Sequence, residues 1–230
     1  MPLETKAVSD FQNVISTEWD LKDAIRSGNL DGYAIRNIIV KKTSFEERHF
    51  SNVLIVKTTT NDLSFENFEA KTVQWSASDL CRSSFRFSDL DELNMLNSAA
   101  RQCDFSESLI QNSGFFANEM QTTNFTNAKV VKTQFQDSNI YGANFTNAFI
   151  AQCRFACGNG GNPEMTRTNF HRSMVIDSVM AGANLYASNF SDAILIRVDL
   201  RGANLFQADF RGAVLIDCQT YPDDFSGALR

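Results

Sequence analysis

The run Arg201-Gly202-Ala203-Asn204-Leu205-Phe206-Gln207-Ala208-Asp209-Phe210 holds one five-residue phrase twice: something small, then Asn or Asp, then a large apolar residue. Working outward, ten such phrases fill Thr168 to Asp217. Their large residues fall on every multiple of five: Phe170, Val175, Met180, Leu185, Phe190, Leu195, Leu200, Leu205, Phe210 and Leu215. Two places before each stands a small or short residue, such as Thr168, Ser173, Ala183, Ser188 or Ala208. A period of five fits neither the 3.6 of a helix nor the 2 of a strand. It marks an internal repeat, in which each unit buries its apolar face only by stacking on its neighbours.

The same register extends upstream through Leu30, Ile35, Val40, Phe45, Phe50, Ile55, Phe65, Trp75 and Leu80 to Phe155. Of 20 phenylalanines, 14 occupy multiples of five, where an even spread would put about four. That excess assigns residues 28–227 to one repetitive body, leaving 1–27 before it and 228–230 as a tail.

The wording of Ala183-Asn184-Leu185, Ala203-Asn204-Leu205 and Ala208-Asp209-Phe210 resembles the pentapeptide-repeat family. The resemblance implies an all-β fold, a right-handed quadrilateral β-helix in which four pentads make one square coil of 20 residues. Physical chemistry agrees with it. A large residue fills each side from within, the small residue two places earlier fits beside it, and Asn or Asp supports a tight turn through its side chain. Coils stacked like strands at about 4.8 Å would pair their backbone groups along the axis. Ten coils would form a rod of roughly 45–50 Å at that spacing.

Departures from the phrase cluster before residue 101. Phe68 stands in a small slot while its centre is Ala70, a trade that keeps volume. Leu63 and Leu93 are large in small slots, Arg48 is charged in one, and Thr60 and Ala100 are undersized centres. Ahead of the repeat, Thr17-Glu18-Trp19-Asp20 reads as a helix start and Gly28 as a stop, with Leu21, Ala24 and Ile25 on one face. A short N-terminal helix capping the first coil is expected, because an open coil edge templates aggregation.

The stretch 156–166 breaks the phrase with Gly158, Asn159, Gly160, Gly161 and Asn162, and is read as a loop. It lacks the closing Gly-Lys-Ser/Thr of a phosphate loop. Two pentads are expected to be lost to it with the 20-residue phase kept. Prolines occur only at 2, 163 and 222, outside the stacked coils, where a missing N–H does no harm. Pro222, Asp223 and Asp224 should mark the last turn, with Phe225 a final centre and the last coil a candidate homodimer contact.

A second period appears beside the centres. Met174 and Ile176, Ile194 and Ile196, Val214 and Ile216 recur every 20 residues and flank inward positions, so they should stack outside one wall as a candidate partner face. At the same 20-residue phase, Leu54 with Val56, Leu96 and Phe116 would prolong it upstream, with Gln134, Gln136 and Arg154 interrupting. The densest acidic group is Asp89, Asp91, Glu92, Asp104 and Glu107.

Composition excludes more than it assigns. Net charge is -6, which is no basic nucleic-acid footprint, and no apolar run has membrane-spanning length. With no secretory core at its start, the chain is expected in the cytoplasm. Five cysteines cannot all pair. Cys103, Cys153 and Cys218 fall in small inward slots, and Cys81 and Cys157 on outward or loop positions. No cysteine pair or histidine joins Cys153 and Cys157 to make a metal site, and no cofactor motif is present. His49 and His171 are expected to stand apart from any nucleophile, so no catalytic residue is assigned and enzyme activity is not expected.

Two functions remain. One is a non-catalytic scaffold that binds another protein, or a second copy, through the aliphatic face, the loop or an end coil. The other follows from resemblance to the family's resistance members: a DNA mimic that binds DNA gyrase or topoisomerase IV and protects it from poisons. Charge weighs against mimicry. Three of 21 basic and five of 27 acidic residues precede Gly28, leaving 18 and 22. Duplex DNA as long as the expected rod carries about 26 charges.

Overall fold

The computed structural model describes residues 6–28, 30–41, 43–156 and 163–230. They wind a right-angled β-solenoid, and each coil contributes one pentad to each of four walls. On the first wall, Tyr33–Arg36, Leu54–Val56, Gln74–Ser76, Asn94–Leu96, Gly114–Phe116, Gln134–Gln136 and Arg154–Ala156 pair in parallel. The fourth wall stacks His49–Ser51, Glu69–Lys71, Asp89–Asp91, Leu109–Gln111, Lys129–Val131, Phe149–Ala151, Met174–Ile176, Ile194–Ile196 and Val214–Ile216. The second and third walls are joined by single parallel bridges, such as Asp79 to Ala99 and Asn124 to Asn144.

Every fifth side chain points inward. On the third wall, Phe45, Phe65, Phe85, Phe105, Phe125, Phe145, Phe170, Phe190 and Phe210 form one column, with rings 4.6 to 5.3 Å apart and within 8° of parallel. Neighbouring walls contribute edge-on rings, as Phe135 does to Phe125 at 6.0 Å. Burying each such ring contributes about 1.5–3 kcal/mol.

The small slot is polar for a reason. A short hydroxyl there ties one coil to the next inside the tube: Ser88 Oγ accepts from the Phe68 N–H at 3.1 Å and donates to the Phe65 carbonyl at 2.8 Å. Ser138 repeats this with Asn118 and Phe115. These buried groups are hydrogen-bonded, so they add cohesion instead of a desolvation penalty. Leu63, Leu93 and the exchanged pair Phe68 and Ala70 are all buried, whereas Arg48 has turned outward and is exposed.

The corner lies two places after each centre, where the backbone is left-handed. Non-glycine corners such as Arg82, Phe87, Asn97 and Lys132 have φ between 46° and 61°. This costs roughly 1–2 kcal/mol for an L residue, so the stacked ladder must over-determine it. The Asn or Asp before the centre does not occupy the corner. Its side chain braces the approach, as Asn124 Oδ1 accepts from the Thr126 N–H at 3.1 Å.

The winding changes step once. Up to residue 139 each bridge joins residues 20 apart, but Asn139 pairs with Glu164, Asn144 with Asn169 and Ile150 with Val175, all 25 apart. The expected conservation of the 20-residue phase is therefore wrong, and one extra pentad is inserted instead of two being lost. The reason is that an insertion of five leaves every inward position inward while moving later pentads back by one wall in the count.

At the N-terminus, Thr17 caps the helix Glu18–Ser27 by accepting from the Asp20 N–H at 3.1 Å, and Gly28 ends it at φ 82°. Leu21 and Ile25 enter the core. Before the helix, Asn13–Ile15 adds the first strand of the first wall, paired with residues 33–35, and Phe11 packs with Ala34 and Leu54.

Candidate interaction surface

The 25-residue step decides which residues share the fourth wall. Met174, Ile194 and Val214 lie in one register, and Ile176, Ile196 and Ile216 in the next but one. Below them stand Phe149 and Ala151, then Lys129 and Val131. Leu54, Val56, Leu96 and Phe116, with Gln134, Gln136 and Arg154, belong to the first wall. Their expected continuity with the aliphatic stripe is thus corrected, and Leu54 is also covered by Phe11. Phe149 and Ala151 escaped notice because they match Met174 and Ile176 only when the step is counted as 25.

The fourth wall changes character along its length. Early rungs carry His49, Glu69, Lys71, Asp89 and Asp91 outward, whereas the last four carry only apolar residues. Four rungs span roughly 15–20 Å. Met174 is 36%, Val214 48% and Ile216 43% exposed; Ile176, Ile194 and Ile196 are half-buried. A polar rim bounds the panel. On one corner Arg197 grips Asp177 through two hydrogen bonds of 2.6 and 2.9 Å, and on the other Arg172 approaches Asp192 at 4.0 Å. The Arg197 hydrogen bonds hold the Asp177 carboxyl below the usual aspartate value.

The panel runs into the last coil. Leu215 occupies an inward position yet is 36% exposed, since among the described residues no further rung lies beyond Val214–Ile216 on that wall. Phe206, Tyr221 and Leu229 are exposed nearby, and Phe225 packs edge-on against Phe210 at 5.1 Å.

The acidic residues are divided between walls. Asp89 and Asp91 face out from the fourth, Glu92 sits at the corner after it, Asp104 is on the third, and Glu107 is at the corner between third and fourth. Several are engaged: Glu92 accepts from Thr72, Asp91 from Asn112, Asp104 from Asn124 and Glu107 from Asn127. Partial burial, and then the Asp91 and Glu69 charges, push the Asp89 carboxyl up. The candidate loop Gly158, Asn159, Gly160, Gly161 and Asn162, with Cys157, lies outside the described residues; its flanks are Ala156, at the end of a first-wall strand, and Pro163, beside the Glu164 that bridges to Asn139 on the second wall.

The expectation for His171 is corrected, and that for Cys81 is qualified. Cys81 keeps its outward position one place after the centre Leu80, but Asp79 and the neighbouring Arg101 bury it there in a second-wall groove of about 320 Å³. Burial, and then the Asp79 hydrogen bond, push its thiol up. His171 does stand beside a nucleophile type, with Nδ1 2.8 Å from Ser191 Oγ. The Ser191 hydroxyl instead donates to Asn189 Oδ1 at 2.7 Å, and the Asp192 carboxylate approaches that same ring nitrogen at 4.0 Å. A working triad needs serine and carboxylate on opposite ring nitrogens. Among the described residues, no group of three or more His, Cys, Asp or Glu is placed to hold a metal, and no helix is long and apolar enough to cross a membrane.

The sequence matches the family model for pentapeptide repeats in eight copies, over residues 120–155, 164–202 and 183–219. The matched stretches are pentapeptide repeats. Among solved structures, a trypsin-treated form of QnrB1, a plasmid-mediated fluoroquinolone resistance protein, superposes with a TM-score of 0.53 at 16% identity, covering 86% of this chain and 92% of that one. HetL, a pentapeptide repeat protein involved in heterocyst differentiation regulation in a Nostoc cyanobacterium, is also 16% identical, covering 92% and 93% with a TM-score of 0.36. The first likeness establishes the fold alone and the second adds nothing to it. No curated protein matches the chain.

Proposed function

We propose that this chain is a non-catalytic binding solenoid whose working surface is the aliphatic panel of the fourth wall together with the open last coil. One observation carries the reading: four consecutive outward rungs, from Phe149 to Ile216, are wholly apolar and run without a break into an exposed inward residue, Leu215. Contiguous apolar surface with a polar rim is the signature of a protein contact. A second copy of the chain is the occupant favoured here. An open coil end offers unpaired strand edges and core-type side chains, and its own equivalent matches both. The panel alone, at a few hundred Å², falls short of the roughly 800 Å² that each partner gives to a stable interface, so panel and end must act together.

The test is light scattering on the purified chain, with Ile196→Asp as the panel variant and Leu215→Glu as the end variant. Self-association weakened by both supports the reading. A monomer unaffected by either, but captured by a different protein through the panel, replaces the second copy with that partner.

Mimicry of DNA on a type II topoisomerase is the second reading, favoured by the QnrB1 likeness. The pairing of carboxylates argues against it. Asp62 is held by Arg82, Asp177 by Arg197, Asp199 by Arg201 and Asp209 by Arg211, so rows of free negative charge do not develop there. Purified protein is expected neither to inhibit gyrase supercoiling nor to protect it from poisons; protection at low micromolar protein would reverse the ranking.

A further inference from the structure

Four exposed charges frame the aliphatic panel, and their signs alternate around it. Arg172 and Asp192 stand at the corner before the fourth wall, Asp177 and Arg197 at the corner after it, all with left-handed backbone. Arg172 and Asp177 flank the rung Met174–Ile176, and Asp192 and Arg197 flank Ile194–Ile196 directly above it. The four thus mark a rectangle with both arginines on one diagonal and both aspartates on the other. Within the chain the Arg172 and Asp192 side chains approach only to 4.0 Å, which leaves both groups open to a further partner. The other corners of the four apolar rungs carry Asn147, Gln152, Gly212 and Asp217.

A second copy seated on this panel is related to the first by a two-fold axis lying in the plane of contact. An axis along the rod would set every rung against itself. Asp89 would then oppose Asp91 of the second copy, on a rung where burial and then the Asp91 and Glu69 charges already push the Asp89 carboxyl up. An axis across the rod, along the strands, sets each corner against the same corner of the other copy, and its level chooses the pairs. At the rung Met174–Ile176 it would oppose Arg172 to Arg172 and Asp177 to Asp177. At Ile194–Ile196 it would oppose Asp192 to Asp192 and Arg197 to Arg197. Midway between those rungs, unlike charges meet at all four vertices. That level is also the centre of the four apolar rungs, so Phe149 and Ala151 fall opposite Val214 and Ile216 of the second copy. Charge and apolar pattern select the same axis.

Taking the panel as the working surface, on which this rests, we infer that it binds a second copy antiparallel, Arg172 against Asp192 and Arg197 against Asp177 of the second copy. Each pair is made twice. Packed sheets lie about 10 Å apart, a gap that an arginine and an aspartate span together. Each guanidinium has its own chain's aspartate one rung away and the other chain's across the gap, so the charges form networks in place of isolated surface pairs. The last coil takes part through Val214 and Ile216, and the acidic rungs Glu69–Lys71 and Asp89–Asp91 stay outside the overlap.

The experiment mixes single charge reversals. In the Arg172→Asp homodimer the new carboxylate meets Asp192, and in the Asp192→Arg homodimer the new guanidinium meets Arg172. Each variant alone should self-associate about tenfold more weakly than the parent, or worse. Mixed one to one, the two present unlike charges at every vertex, and native mass spectrometry should show a heterodimer with one chain of each. Repair within a chain does not produce that rescue, and neither does a parallel arrangement, which sets Arg172 against Asp177. Asp177→Arg mixed with Arg197→Asp repeats the test on the other corner, and decides it should circular dichroism show a variant of the first pair unfolded. A parent dimer that Ile196→Asp dissociates, with no heterodimer in the folded mixture, overturns the arrangement and leaves the panel as the contact. A folded single reversal that dimerises as tightly as the parent overturns it too. A parent that stays monomeric at every concentration removes the panel reading and the arrangement together.

Discussion

Phe145 and Phe170 stack at 5.2 Å and 5° from parallel although 25 residues separate them, whereas every earlier pair in the column is 20 apart. The ring column thus runs straight through the point where the winding changes step. Packing is conserved because the insertion is one pentad long. The wall assignment of everything after it is what shifts, and with it the composition of the outer surface.

Deleting residues 158–162 should therefore restore a 20-residue step without disturbing a single inward position. The deletion protein is expected to keep its β-rich circular dichroism and to melt no lower than the parent. Loop closure changes little with length, at about 0.6 kcal/mol per doubling, so the effect should be small. A large loss of stability would show that the extra pentad is structural, and loss of binding alone would move the working surface to the loop.

Core truncation should depend on position along the rod. Phe125→Ala opens a fully buried cavity between two stacked rings and should cost about 3–5 kcal/mol. Leu215→Ala, at the exposed end, should cost about 1 kcal/mol, since little of its environment is closed. Urea titrations of both variants check the contrast.

Charge pairs predict opposite effects of acid. The Asp177 pKa is depressed by Arg197, so its stabilisation is present above the ordinary value of 3.8 and is lost as pH falls through the depressed one. Asp177→Asn should lower the melting temperature at neutral pH and leave it unchanged once the parent carboxyl is protonated. Asp89 has a raised pKa, so its charged form opposes folding at neutral pH and the penalty fades as pH falls through that value. Asp89→Asn should raise the neutral melting temperature, with the gain vanishing in acid. Melting curves from pH 3 to 7 separate the two signs.

Thiol reactivity should follow burial. Cys103 and Cys153 donate to the Leu80 and Val130 carbonyls inside the tube, and burial pushes both thiols up to about 12. Both should resist alkylation at pH 8 until denaturant is added, while half-buried Cys218 reacts in the native protein. Peptide mapping by mass spectrometry reads each site separately.

Much of this was legible in the residues. A period of five with Phe at its beat identifies the square coil, because no other common fold needs a large side chain inward at that interval. Thr17 and Gly28 gave the limits of the capping helix through their own side-chain and backbone chemistry. What stayed hidden was the wall to which each late pentad belongs, since one extra pentad between Phe155 and Glu164 leaves the one-in-five pattern intact. For the same reason Phe149 and Ala151 were invisible as neighbours of Met174 and Ile176. The burial of Cys81 and the approach of His171 to Ser191 depend on contacts between coils, which a one-dimensional pattern does not contain.

The most direct measurement is the solution mass of the parent protein and of Ile196→Asp by multi-angle light scattering across a concentration series. A parent that forms a dimer, with the variant shifted to monomer while its circular dichroism is unchanged, is the predicted result. Identical masses for the two folded proteins at every concentration would contradict the assignment of the fourth-wall panel as the surface on which a second copy docks.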